Sequence, residues 1–306
     1  MLLNTFEYLK PTSLGEALSV LDGLKEKKTQ VLAGGTDLIP WLRGRVKDVD
    51  YLIDLADAGL DHILFDSDSD SDHAQARIGA MVTFAALCEH PQVRRRLPAI
   101  AEAALQVGAV QTRNQATIGG NLCSAVPSLD GAPALLVLGA TLRLQAQGSE
   151  RLVPIEQFFL GPRRTLLQPG EVLTEIIVPL RQDFTASFLR LGRRKALTLS
   201  IVNAAAGLAM DRQQVSEARI ALGAVAPTPI RAYQAEQLLK GQKLTPQLFA
   251  EAAAVAATET SPISDLRASA DYRRKISVVL VRRALEIALA RQQNTQTEVR
   301  AAGGGL

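Results

Sequence analysis

Cysteine and histidine are too few in this chain to build a metal centre. Its 306 residues include two cysteines, Cys88 and Cys123, and three histidines, His62, His73 and His90, none at ligand spacing. An iron–sulfur cluster or a four-ligand zinc site needs more thiolates or nearby imidazoles, so redox chemistry here would need an organic cofactor. Aromatic residues make up 4% of the chain, and 34 basic against 31 acidic residues leave a net charge of +3. A nucleic-acid surface, with its basic face and stacking rings, is therefore excluded. The longest apolar run, around Ala132 to Leu142, is too short to span a bilayer. The opening residues Met1-Leu2-Leu3-Asn4-Thr5-Phe6-Glu7 lack the basic stretch and apolar core of a signal peptide. A cytoplasmic protein is expected, with both cysteines as small core residues and Cys123 near enough to a glycine loop to line a cavity.

What the chain does have is apolar content, 47% hydrophobic residues, enough for sizeable cores, and a length that suggests two domains at roughly 150 residues each. It also has two glycine pairs. Thr117-Ile118-Gly119-Gly120-Asn121 sets a hydroxyl, two glycines and an amide between apolar runs. Such a backbone either turns tightly or lets main-chain N–H groups approach a bulky ligand without a Cβ between them. Ala33-Gly34-Gly35-Thr36-Asp37 follows a strand, Thr29 to Ala33, and precedes an apolar helix, an order that presents unpaired N–H groups to an anion. Its glycine spacing matches neither a Rossmann nor a Walker A loop. Asp37 is placed either beside a ligand or as the helix N-cap.

In order, Ser13-Leu14-Gly15-Glu16 reads as a capping box opening an amphipathic helix. Short strands follow at Tyr51–Leu55, Ile63–Asp66 and Ala76–Ala80, with a solvated Asp/Ser loop from Asp66 to Asp72. Thr83 is a second N-cap, and a helical pattern runs from Pro91 to Val107. Asp130 precedes an Ala/Leu-rich helix, either capping it or reaching a ribose hydroxyl. After the strand Gly170–Pro179 the composition shifts, which places a domain boundary near Asp183. The expected units are a domain over 1–182, with subdomains of about 1–55 and 56–182, and a second domain over 183–291. In the second, strands at Ser200–Met210 and Val215–Ala224 precede helices at Arg231–Leu239, Thr245–Thr258 and Asp271–Arg291, the last with its arginines on a solvated face. The polar, glycine-rich residues 292–306 are expected to be a disordered tail.

One extended ligand explains two glycine loops roughly eighty residues apart better than two unrelated turns do, and a dinucleotide fits. Val31 to Leu38, Gln111 to Asn121 and Ser261-Pro262-Ile263-Ser264-Asp265-Leu266-Arg267-Ala268-Ser269 together resemble the FAD-binding medium subunit of the molybdenum hydroxylases, the family of xanthine, carbon monoxide and nicotinate dehydrogenases. The resemblance spans about residues 4 to 290. It implies an α+β fold: an FAD-binding domain of the vanillyl-alcohol oxidase (PCMH) type in two subdomains, and a smaller C-terminal domain with a three-stranded antiparallel sheet and helices. Carried over by position, it implies that Leu32, Ala33, Gly34, Gly35, Thr36, Asp37 and Leu38 wrap the pyrophosphate and ribose. Val107 would lie against the flavin, Thr117, Ile118, Gly119, Gly120 and Asn121 would form the second loop, and Asp130 would bind a sugar hydroxyl. Leu173 would touch the adenine or ring edge, and Arg190 stands next to where many relatives carry a lysine.

The chemistry so implied is electron transfer. A molybdopterin-binding large subunit and a small subunit with two [2Fe–2S] clusters would complete a heterotrimer, and the FAD on this chain would pass electrons from those clusters to an external acceptor. The lack of cluster ligands here agrees with that division. Two other readings stand beside it: a stand-alone FAD-dependent oxidase of the same broad fold, and a non-catalytic scaffold whose glycine loops are only turns. Flavin content separates the scaffold from the other two.

Overall fold

The computed structural model describes residues 5–66 and 74–303, so the Asp/Ser loop expected from Asp66 lies, past that residue, outside the described residues. Strands β1 (Glu7–Leu9), β2 (Thr29–Leu32) and β3 (Tyr51–Asp54), with helices α1 (Leu14–Gly23) and α2 (Leu38–Arg43) between them, make a small parallel sheet of order β1-β3-β2. α1 begins at the predicted cap, where Ser13 Oγ accepts from Glu16 N at 3.2 Å. The reciprocal bond is displaced by one residue, since Glu16 accepts from Thr12 N at 2.8 Å. Ala17, Leu18 and Leu21 bury against Ile53 and Leu55.

The second layer contains β4 (Ile63–Phe65), β5 (Gln75–Gly79) and six helices: α3 (Phe84–Glu89), α4 (Pro91–Arg96), α5 (Pro98–Gln106), α6 (Val110–Gln115), α7 (Ile118–Ser124) and α8 (Gly131–Leu138). Strands β6 (Thr141–Ala146) and β7 (Ser149–Pro154), a hairpin of β8 (Phe159–Gly161) and β9 (Arg164–Thr165), and β10 (Val172–Pro179) complete it. The sheet is antiparallel, ordered β4-β5-β10-β6-β7. β10 pairs on both sides, which is why Val172 to Val178 is one unbroken buried run. The single helix expected from Pro91 to Val107 is two, broken at Leu97 (φ −130°, ψ 51°). Pro98 offers no N–H and its ring disfavours helical backbone at the preceding residue.

The C-terminal layer has β11 (Phe184–Gly192), β12 (Ser200–Asp211), β13 (Gln214–Gly223) and β14 (Ile230–Arg231) in one antiparallel sheet, backed by α9 (Tyr233–Leu239), α10 (Pro246–Thr258) and α11 (Ala270–Gly303). The sheet has four strands where three were expected, because Ile230 and Arg231 add two rungs against Leu222 and Ala221. β12 is buried from Ser200 to Ala209. Its Ala205 and Ala209 join the core that contains α8, while Ala204, Ala206 and Leu208 join the core under α10 and α11. Small side chains allow packing on both faces of this strand, so the two layers share a sheet and do not merely touch.

Residues 292–306, expected to be disordered, are helical as far as Gly303. No helix breaker intervenes before the terminal glycines, and the extension is anchored where buried Gln292 donates to the Asp183 carbonyl at 3.1 Å. Arg273, expected on a solvated basic face, is 3% exposed and donates to the carbonyls of Ile201 (2.6 Å) and Ala224 (3.0 Å) and to Asp265 (2.8 Å). Burial would raise the Asp265 carboxyl, but the amides of Arg267 and Ala268 and the Arg273 guanidinium outweigh it and hold the pKa below the usual carboxylate range. The motif Ser261 to Ser269 is thus a knot tied around one carboxylate. Among the described residues no helix is long and apolar enough to cross a membrane, and no group of residues could hold a metal ion.

Candidate functional site

A cavity of about 760 Å³ opens where the three layers meet. Most of the residues singled out in the sequence lie on its wall: Ala33 to Leu38, Val107, Thr117, Gly119 to Asn121, Asp130 and Leu173. Leu32, Ile118 and Arg190 do not. Leu32 ends β2, Ile118 is 1% exposed within the core, and Arg190 stands behind the wall.

The first loop joins β2 to α2. Gly35 adopts φ +69°, a left-handed conformation in which glycine avoids the Cβ penalty. A Cβ on Gly34 would overlap the Gln115 carbonyl oxygen and come within 3.0 Å of Ala116 Cα, so this glycine lets the first loop cross the chain that leads into the second. α2 begins with Ile39 N donating to Gly35 O at 3.0 Å and Trp41 N to Asp37 O at 3.1 Å. The five amides before them, from Gly34 to Leu38, have no acceptor among the described residues. Asp37 occupies the N-cap position, but its side chain makes no capping bond.

The second loop is the start of a helix and not a turn. Thr117 is the N-cap of α7, and its Oγ1 accepts from Gly120 N at 3.0 Å. Ile118 N donates to Val82 O (3.0 Å), Gly119 N to Ala80 O (2.9 Å) and Asn121 N to Thr117 O (3.0 Å). The amides that the glycine pair was expected to offer a ligand are therefore satisfied by the protein. A Cβ on Gly119 would lie 2.6 Å from both the Cβ and the carbonyl oxygen of Ala80; this glycine makes room for the backbone after β5. Asn121 Oδ1 accepts from Gly131 N at 3.2 Å and so serves the start of α8, while Asp130, at the N-cap position, makes no capping bond.

Asp130 is held otherwise. Its Oδ2 accepts from Arg190 at 2.9 Å, and its Oδ1 accepts from Ser200 at 2.5 Å and Asn203 at 2.8 Å. Arg190 also donates to the carbonyls of Gln106 and Thr198. The two charged side chains are 9% and 5% exposed. Burial is the strongest influence on the Asp130 carboxyl and pushes its pKa up, against the pull of Arg190, Ser200 and Asn203. The expected sugar-binding carboxylate is thus on the cavity wall with donors from β11 and β12 already on it. Arg190, expected near the cofactor, pins this carboxylate.

Trp41, Lys47 and Arg163, which no motif singles out, share the same cavity wall. Lys47 Nζ lies 5.4 Å and the Arg163 guanidinium 5.2 Å from the centre of the Trp41 ring. Burial, and then Arg163, hold the Lys47 ammonium below the ordinary lysine range. Cys123 also lines the cavity, as its position suggested, and burial pushes its thiol up to about 12, far from a reactive thiolate. Nothing local in Arg43-Gly44-Arg45-Val46-Lys47 separates the lysine from its basic neighbours; only the fold does.

With this geometry in view, comparison with known proteins is unambiguous. Residues 4–181 match the family described as the FAD binding domain in molybdopterin dehydrogenase, and residues 187–288 match the CO dehydrogenase flavoprotein C-terminal domain. The chain belongs to the family of FAD-binding medium subunits of the molybdopterin dehydrogenases. It is 33% identical to the carbon monoxide dehydrogenase medium chain of Afipia carboxidovorans, covering 96% of this chain and all of that one. It is 30% identical to the xanthine dehydrogenase FAD-binding subunit of Escherichia coli O157:H7, covering 92% and 96%. Among solved structures, carbon monoxide dehydrogenase from Hydrogenophaga pseudoflava, in a form lacking the Mo-pyranopterin moiety, superimposes with a TM-score of 0.89 at 34% identity, covering 95% of this chain and 99% of that one. The α+β architecture of a flavin-binding domain followed by a C-terminal domain is thereby the fold of this family.

Proposed function

We propose that this chain is the FAD-carrying electron-transfer subunit of a cytoplasmic molybdenum hydroxylase complex. The observation that carries the reading is the run of five amides, Gly34 to Leu38, without acceptors among the described residues, on residues that line a large cavity. N–H groups left unpaired away from water are costly, and consecutive ones around a left-handed glycine form a concavity suited to an anion. A dinucleotide pyrophosphate, with several oxygens, would satisfy them together. On this reading Ala33 to Leu38 hold the pyrophosphate and ribose, Val107, Thr117, Gly119, Gly120 and Asn121 shape the wall around the rest of the cofactor, and Asp130 and Leu173 close its sides. Leu32, Ile118 and Arg190 support those contacts from behind.

When bound, FAD supplies the redox chemistry, taking electrons from partner-borne [2Fe–2S] clusters and delivering them to an external acceptor. The residues of this chain bind and orient the cofactor and exclude water; none is placed as a general base. The flavin domain is taken as residues 1–182 and the C-terminal domain as 183–291, in keeping with the matched segments on either side of Asp183. A molybdopterin-binding large subunit and an iron–sulfur small subunit complete the complex, a reading supported by relatives that are themselves named as medium chains and FAD-binding subunits. A stand-alone oxidase is disfavoured by the same relatives. The test is affinity purification of the tagged chain from its source cells under mild conditions. Molybdenum and iron are expected to co-elute with it at about one and four per chain if each small subunit carries two [2Fe–2S] clusters; a metal-free, partner-free flavoprotein that oxidises an alcohol would replace the proposal with the stand-alone reading.

A further inference from the structure

The cavity wall carries charge that no neighbour balances. Trp41 lies on α2, one turn past Asp37, so its backbone is about 4.5 Å along the helix axis from Leu38, the last of the free amides. The chain then doubles back, with Val46 N donating to Trp41 O at 2.8 Å and Arg45 at φ +54°, and this turn brings Lys47 over the indole. Lys47 Nζ is steadied by Gln30 Oε1 of β2 at 2.6 Å. Arg163 arrives from a different part of the chain, the tip of the β8–β9 hairpin, at φ +59° and with its N–H on the Ala125 carbonyl at 2.8 Å. Neither cation has a carboxylate within ion-pair distance among the described residues. The other acidic groups on the wall are taken, Asp130 by Arg190 and Glu171 by Arg151, except Asp37. Of the other cations on the wall Lys25 pairs with Asp22 and Lys27 is solvent-exposed at the rim, so Lys47 and Arg163 are its two unpaired cations at the Trp41 ring, against one unpaired carboxylate.

Resting on the FAD reading above, we propose that Lys47 and Arg163 form a cationic clamp, seated on the Trp41 ring, that balances the charge of the nucleotide diphosphate whose oxygens the Gly34–Leu38 amides receive. The amides offer directed hydrogen bonds but no net charge; the clamp supplies it. The ring fixes both cations through cation–π contact while leaving the Arg163 guanidinium and the Lys47 N–H bonds not given to Gln30 available to phosphate oxygens. The lowered Lys47 pKa agrees with an ammonium kept partly desolvated beside another cation, a state that a bound phosphate relieves.

Trp41 is the sole tryptophan of the chain, so its fluorescence reports directly on this corner. The experiment titrates the full-length apoprotein with FAD, ADP and riboflavin. Lys47→Met and Arg163→Met, which keep the apolar stems, should each weaken FAD and ADP about tenfold, and the double variant about a hundredfold. Riboflavin, lacking a phosphate, should bind all forms alike, Lys47→Arg should retain most of the affinity, and added salt should weaken the wild type more than the double variant. A double variant that binds FAD and ADP as the wild type does overturns the clamp and leaves the flavin assignment standing. An equal loss of riboflavin and FAD also overturns it, by showing a general defect of the cavity. A wild-type chain that binds neither FAD nor riboflavin overturns the flavin reading and the clamp with it.

Discussion

Replacing Gly34 with alanine should yield a chain that purifies without flavin and melts well below the wild type. The added Cβ would occupy the space of the Gln115 carbonyl, a backbone group at the C-terminal end of α6, so no side chain can rotate away to make room. Overpacking against rigid backbone costs about 3 kcal/mol or more, roughly 5 °C or more in Tm for a chain of this size. The loop must shift as a whole, and its five free amides shift with it. Gly15→Ala is the matching control. A Cβ there meets nothing within 4 Å, and Gly15 lies in the first turn of α1, where alanine is at least as good a helix former as glycine, so stability should hold or rise. A Gly34→Ala chain with wild-type Tm and full flavin content would contradict the geometry of both loops.

Arg190→Met should be nearly as damaging, by another route. It leaves the Asp130 carboxylate, 9% exposed, with Ser200 and Asn203 but no cation. Removing one member of a buried pair costs about 3–5 kcal/mol because the remaining charge is stranded. The pH dependence follows from the sign of the Asp130 shift. Burial already raises this carboxyl above its unfolded value, and losing Arg190 removes the main opposing influence. A raised folded-state pKa means that the folded protein binds more protons than the unfolded chain, so the deficit is full above that pKa and narrows as the pH falls through it. Thermal melts from neutral to mildly acidic pH should show the variant closing on the wild type. Adding Asp130→Leu should recover most of the stability at neutral pH, because an apolar pair replaces a stranded charge. A single variant with wild-type Tm at neutral pH would mean that the pair contributes nothing.

Local grammar carried most of the chain. Ser13, Thr83 and Thr245 cap helices with their hydroxyls, as short-range rules dictate. Both glycine loops reach one cavity. The reason for the glycines was less accessible: glycine signals close approach, but sequence does not say what approaches. At Gly34 and Gly119 it is another stretch of this backbone, contributed by Gln115 and Ala80. For the same reason the second loop's amides read as free, although Val82 and Ala80 accept them. Arg273 read as solvated because charge usually is, yet two carbonyls and a carboxylate from distant positions satisfy it inside the protein. The corner formed by Trp41, Lys47 and Arg163 joins residues more than a hundred positions apart, a pairing that no periodicity encodes. Pro98 is different: the break it causes at Leu97 is legible from proline alone, although the apolar pattern continues on both sides.

One cofactor is expected to fill the cavity between the two loops. The most direct test is the absorption spectrum of the purified chain or complex, followed by extraction and chromatographic identification of the released chromophore. Flavin bands with FAD at close to one per chain are the predicted result. A well-folded, colourless protein that stays colourless when FAD is added would contradict it.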